Sequence, residues 1–401
     1  MKTRFMFLFL LAYFVLTSQL TATEIENKFR HIMQLSAEEI IDPPGIFGSP
    51  GLVIGLVSEQ GEVVEGFGSR FILRQIRPDE NTFFGIGSVT KIFTGLMLAN
   101  AVINNQLNLN DPVNSILDIK ANALDGVTLQ QLVTHYSGLP NFPDNIKQFR
   151  DLDHDGQNDS IPASPARNYS QEMLLDTLSQ KNQNQAQPGT KYQYSNLGIA
   201  ILGMALEKKL HFSNFNDMLD AQILHPLKMV HTSTHTSTFV QEARAQMAKG
   251  YMLLYRRIHP VDFSEMGLLR SSGEMITTAK DMQILLRCLT GIISCPLRAA
   301  VIEAMRPLAP TDYDNKIGYA IDIHKSRDGG TLYSKAGITT GYTAMVMWRQ
   351  TPKIGIVILA NRGHLEKLRQ ASIQLFELLT EQLNPGQATP RTSSSAPAIP
   401  F

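Results

Sequence analysis

The β-rich runs of this chain lie at its two ends, with helical patterning between them, and that placement limits the folds open to it. Gly51–Val57 and Glu62–Gly68 read as a hairpin joined by Ser58-Glu59-Gln60-Gly61. Thr331–Ser334, Tyr342–Trp348 and Ile354–Leu359 follow near the other end. Helices are predicted over Ser88 to about Leu107, Thr128–Val133, Gly198–Leu210, Phe215–Leu224, Ser272–Leu289 and Leu365–Leu383. A sheet must bury a face against another layer, so the expected fold is α/β of the α+β type. One antiparallel sheet is assembled from both termini and flanked by helices, with a helical region inserted. The sheet region is placed at about 45–85 and 300–384 and the helical region at about 86–299.

The helix from Ser88 carries Val89, Ile92, Phe93, Leu96, Met97, Leu98, Val102 and Ile103, a coat too wide for a surface helix, so it is expected to run through the interior. Gly87 reads as a turn that sets Ser88 at the first helical turn. Backbone N–H groups there lack intrahelical partners and can stabilise an oxyanion. Ser88 and Lys91, three apart, face the same way, which puts a nucleophile beside a proton acceptor. A capping serine with a solvated lysine would give the same pattern, so only partners further along decide between the two.

Two such partners follow. Tyr194 and Asn196 project together from an extended loop after Pro188-Gly189-Thr190. Positive charge near Tyr194 would favour its phenolate, which could then pass protons between nucleophile and leaving group. The alternative is a packed tyrosine at a helix start, where Ser195 or Asn196 is a cap. Lys335-Ala336-Gly337 sits in a strand whose small residues let a substrate backbone lie alongside. By itself it would also pass for an ordinary edge strand.

Among 401 residues, 43% hydrophobic, the 36 basic and 36 acidic side chains balance. One large domain or two intimate ones is expected. Neither nucleic acid nor an acidic membrane surface is indicated as partner, since both need an excess of Lys and Arg. Residues 1–22 combine Lys2 and Arg4 with the apolar run Phe5–Leu16 and small or polar residues to Ala22, as in a secretory signal peptide. An apolar run of 12 residues is short for a membrane span, although an uncleaved anchor stays open. The protein is therefore expected in the periplasm or outside the cell. There Cys288 and Cys295, the two cysteines of the chain, either pair or remain as thiols. No cofactor is expected.

From Asn141 to Gln187 the chain is polar and reads as an insertion. Within it Asp151, Asp153, Asp155 and Asp159 alternate around Gly156 as in a calcium loop, but Pro162 stands where the closing glutamate belongs. A solvated acidic loop is the competing reading, and no metal is assigned. The stretch 385–401, rich in Pro, Ser, Thr and Ala, is expected to be disordered.

Taken together, Ser88-x-x-Lys91, Tyr194-x-Asn196 and Lys335-x-Gly337 resemble the penicillin-recognising serine hydrolases. The likeness is to the class C β-lactamases and their D-alanyl-D-alanine peptidase relatives, and it covers nearly the whole of 23–384. Leu109–Val113, Thr134–Pro140, Pro226–Met229 and Ile354–Asn361 add to it. The resemblance implies a β-lactamase/transpeptidase-like fold and an acyl-enzyme on Ser88, with Lys91 and Tyr194 moving protons and Lys335 supplying positive charge. It also implies that Asn196 holds the substrate's amide side chain and that the N–H groups of Ser88 and Ile338 form the oxyanion hole beside Gly337. The substrate would be a β-lactam or a D-alanyl peptide, with a small ester or a non-turnover penicillin sensor as alternatives. The family usually has threonine where Ala336 stands, so carboxylate recognition would fall to Thr339, Thr340 or Arg369.

Overall fold

The computed structural model describes residues 22–41, 48–149, 166–179, 186–234, 243, 245–254, 257–312, 314–362 and 365–383. Residues 1–21 of the expected signal peptide 1–22, the candidate calcium loop Asp151–Asp159 and the tail 385–401 lie outside them.

Eight strands form the main sheet: β1 (Gly51–Ser58), β2 (Gly61–Gly68), β3 (Ala309–Pro310), β4 (Lys316–Ile317), β5 (Asp322–Lys325), β6 (Thr331–Thr339), β7 (Tyr342–Gln350) and β8 (Lys353–Ala360). Their order is β2-β1-β8-β7-β6-β5-β4-β3, every pair antiparallel. The two ends of the chain meet at β1–β8, where Leu52 lies opposite Ala360 and Ser58 opposite Ile354. Asn361 fastens that seam: its Oδ1 accepts from the Gly51 amide at 2.8 Å, and its Nδ2 donates to the Ser69 carbonyl. All eight residues of β1 are buried, because both sheet faces are covered.

Five described helices exceed ten residues: α1 (Ala22–Ile40), α2 (Thr90–Ile103), α3 (Asn196–Lys209), α4 (Ala279–Thr290) and α5 (Leu365–Leu383). On one sheet face α1 and α5 bury Phe29, Met33, Leu375 and Leu379 against Ile54, Met345 and Ile356. On the other, α4 sets Leu285, Leu286 and Leu289 against Val57, Val346 and Val357, and α2 and α3 continue the same core. Gly355 allows the α4 approach, since a Cβ there would stand 2.8 Å from Leu286 Cδ2. The helix α1 was not expected from the sequence, although Ile25, Phe29, Met33, Ala37 and Ile40 recur at helical spacing. The helix expected from Ser272 begins instead at Ala279, capped by the Thr278 side chain, which accepts from the Asp281 amide. Before it, Met275–Thr277 joins Phe84–Gly85 and Ser233–Thr234 in a small separate sheet. Among the described residues no helix is long and apolar enough to cross a membrane.

Cys288, near the end of α4, forms a disulfide with Cys295 across a Cα–Cα distance of 5.7 Å. Closing so short a loop stabilises by about 2 to 3 kcal/mol through the entropy it removes from the unfolded chain. Replacing both cysteines by serine is expected to lower unfolding stability by that amount in denaturant titration. Thiol counting on the unreduced, unfolded protein should find none free.

Candidate active site

Ser88 sits in a single 3₁₀ turn, Gly87–Val89, that leads into α2. Two glycines make that turn possible. Gly87 has φ +49°, and a Cβ there would lie 2.5 Å from the Ile338 carbonyl oxygen. A Cβ on Gly337 would lie 2.0 Å from the Ile86 carbonyl oxygen and 2.9 Å from the Ser88 amide nitrogen. Strand β6 therefore packs backbone to backbone against the turn, with the Ser88 amide nitrogen beside Gly337 and the Ile338 amide nitrogen beside Gly87. Thr90 ties the other side, with Oγ1 donating to the Gly87 carbonyl at 2.6 Å, while the Ile86 amide donates to the Met275 carbonyl at 3.0 Å.

Lys91 is fully buried on α2. Its Nζ is 3.0 Å from Ser88 Oγ, 2.6 Å from Asn196 Oδ1 and 2.6 Å from the Ser272 carbonyl oxygen. Burial pushes the ammonium well below its usual pKa, and the charge of Lys335 adds to the effect. A neutral amine has two N–H donors, which the amide of Asn196 and the carbonyl of Ser272 take up. Its lone pair is left facing the Ser88 hydroxyl, as a general base requires.

Tyr194 donates its hydroxyl to Ser88 Oγ at 2.6 Å. Lys91 Nζ lies 5.0 Å and Lys335 Nζ 5.8 Å from its ring centroid. The sequence led to the expectation of a phenolate favoured by these lysines; the structure corrects it. Burial raises the phenol's pKa, and the hydrogen bond to Ser88 offsets this only in part. Lys91, itself held neutral, supplies little positive charge. Tyr194 is thus a protonated donor and Lys91 the acceptor. Behind it lies His135 at φ +63°, its ring tilted by 41° against that of Tyr194 with centroids 4.5 Å apart, fully buried and pushed well below its usual pKa by burial and by the charge of Lys335.

Asn196 turns both ends of its amide inward, with Oδ1 on Lys91 and Nδ2 donating to Asn141 Oδ1 at 2.7 Å. The geometry makes it a holder of Lys91. Ser195 caps α3, its Oγ accepting from the Gly198 amide at 2.8 Å.

Lys335 and Gly337 share the β6 face that looks toward Ser88. Ala336, between them, lies on the other face and packs against the core under α1 and α5. Thr339 and Thr340 are half-buried at the end of β6, the Thr339 methyl near Gly85. Arg369 stands on α5, across the sheet from α2, where its charge helps hold buried His324 neutral. His324 itself pairs with Ser334 at 2.9 Å, and burial lowers its pKa to about 4. Lys335 Nζ is held by Asp322, 3.1 Å from one carboxylate oxygen and 3.3 Å from the other.

Three contributors escaped the sequence reading. The Ser272 carbonyl carries no side-chain signal. His135 lies inside the Thr134–Pro140 segment that supported the family resemblance, without a role assigned to it. Asp322 opens a four-residue strand that has no apolar pattern of its own.

The glycine contact is directly testable. Gly337→Ala must push β6 off the Ile86–Ser88 turn, and a shift near 1 Å costs about 100-fold in rate. A fall of that size in kcat/KM is expected, with the circular dichroism spectrum unchanged.

With this geometry in hand, comparison with known proteins places the chain. It is 24% identical over 347 residues to a β-lactamase of Lysobacter lactamgenus, covering 78% of this chain and 83% of that protein. Among solved structures, a class C β-lactamase from Rhodobacter sphaeroides superposes with a TM-score of 0.71 at 21% identity, over 88% of this chain and 99% of that one. An octameric penicillin-binding protein homologue from Pyrococcus abyssi gives 0.71 at 22% identity, over 90% and 78%. The beta-lactamase family model matches residues 29–379, so the chain belongs to the beta-lactamase family and is a serine hydrolase.

Proposed function

We propose that the protein cleaves the strained cyclic amide of a β-lactam through an ester intermediate on Ser88. The observation that carries this reading is the position of Ser88 Oγ, 2.6 Å from the Tyr194 hydroxyl and 3.0 Å from Lys91 Nζ. The Ser88 proton passes to Lys91 as Oγ attacks the carbonyl carbon, and the backbone N–H groups of Ser88 and Ile338 receive the oxyanion. The C–N bond then breaks, and the leaving nitrogen takes its proton from Tyr194, which regains one from Lys91. A water repeats the attack on the ester carbonyl, its proton is taken up by the same pair, and Ser88 Oγ leaves and is reprotonated.

Hydrolysis of an uncharged ester is the second reading, favoured by the Asp322–Lys335 pair. Mass spectrometry over time tests both. A transient adduct of about the mass of penicillin supports the first. Adduct formation with a neutral ester alone supports the second, and a persistent penicillin adduct points to a binder that does not turn over. No adduct with either compound overturns the acyl-enzyme reading.

Export belongs to this proposal. The signal-like residues 1–22 and a disulfide suited to an oxidising compartment support it. Finding the protein in the cytoplasmic fraction with its amino terminus intact would count against it.

A further inference from the structure

Lys335 is the positive group that the site offers to an incoming anion, and the protein already holds an anion there. Only 3% of the Lys335 side chain is exposed and 19% of the Asp322 side chain, so the pair is largely shut off from water. The field of Asp322 extends to the reacting groups. It raises the phenol of Tyr194 and partly offsets the lowering that Lys335 imposes on Lys91. A substrate carboxylate that sought Lys335 would meet the Asp322 oxygens within a few ångströms. It would then be repelled, or would have to displace a carboxylate whose own loss of partner is costly. His324, packed beside the pair and held neutral, adds no compensating charge near pH 7.

We propose that Asp322 is the specificity-determining residue of this site: its carboxylate occupies the anion position on Lys335, so the preferred acyl donors carry no negative charge beside the scissile bond. The proposal rests on the acyl-enzyme reading given above and names the substrate class within it. It selects by charge, so two compounds that differ only in charge separate it from any effect of size or reactivity.

A penicillin and its methyl ester are such a pair, and the rate of Ser88 acylation by each can be followed by mass. The wild-type protein is expected to acylate with the methyl ester at least tenfold faster than with the free acid. In Asp322→Asn that preference should shrink by tenfold or more, whereas Asp322→Glu, which keeps the charge, should retain it. Equal wild-type rates, or faster reaction with the free acid, would overturn the proposal whatever the variants do. So would an undiminished preference in Asp322→Asn, with Thr339 or Thr340 at the end of β6 then left to receive the carboxylate. A purely structural role for Asp322 would slow both compounds alike and leave their ratio unchanged, which also counts against the proposal. If neither β-lactam acylates Ser88, the β-lactam reading fails separately. The charge comparison is then made with p-nitrophenyl butyrate and p-nitrophenyl hemisuccinate, with the same tenfold expectations.

Discussion

Ser88→Ala is expected to gain no mass from any acyl donor, and its turnover should fall by about 10⁴-fold or more. The nucleophile is the one group in the site that no neighbour can replace. Lys91 is buried behind it, and the Tyr194 phenol is held protonated by burial. The loss should be chemical and not structural. The turn is held by Gly87 against Ile338, by Thr90 on the Gly87 carbonyl and by Ile86 on Met275, none of which involves the Ser88 hydroxyl. A covalent adduct on the alanine variant, found by intact-mass measurement, would remove Ser88 from its role and with it the proposed reaction.

Lys91→Met should slow acylation by about 10² to 10⁴-fold, the usual worth of a positioned general base. The methionine fills a similar volume without charge. It leaves Asn196 Oδ1 and the Ser272 carbonyl without the donor they share, which costs about 1 to 3 kcal/mol for each buried acceptor so orphaned. The pH profile separates catalysis from this structural cost. Only the neutral amine can accept the Ser88 proton, so the wild-type rate should fall as pH drops through the lowered pKa of Lys91. That acid limb should vanish in Lys91→Met. Lys335→Met removes a positive charge that depresses Lys91, so there the limb should move to higher pH. An acid limb that persists unchanged in Lys91→Met would assign the titration to another group.

Much of the catalytic set was legible in the sequence because it is local or periodic. Ser88 and Lys91 are neighbours on one helical face, and Tyr194 and Asn196 are neighbours on one short segment. Their meeting could be anticipated only because the resemblance joined the motifs; nothing in the spacing from Lys91 to Asn196 says that their side chains touch. What the spacing left open, electrostatics in the folded protein decided. Tyr194 next to two lysines reads as a depressed phenol on paper. In the folded site it is raised, because desolvation outweighs the hydrogen bond to Ser88 and the charge of Asp322 adds to the rise.

The sheet shows the same division between local pattern and long-range contact. The strand-rich ends, the broad apolar coat of the helix behind Ser88 and the amphipathic Leu365–Leu383 follow from residue order alone, since hydrophobic periodicity acts within one element. The pairing β1–β8, the approach of Gly337 to the Ile86–Ser88 turn and the capture of Lys335 by Asp322 join residues that are brought together only when the core closes. Ala336 gives the sharpest case. Its neighbours in sequence are site residues, yet the alternation of β6 turns it to the face packed under α1 and α5, and Asp322, thirteen residues before Lys335, takes the place beside the lysine. Which residue faces the substrate is set by strand register and by burial, and both exist only once the chain has folded.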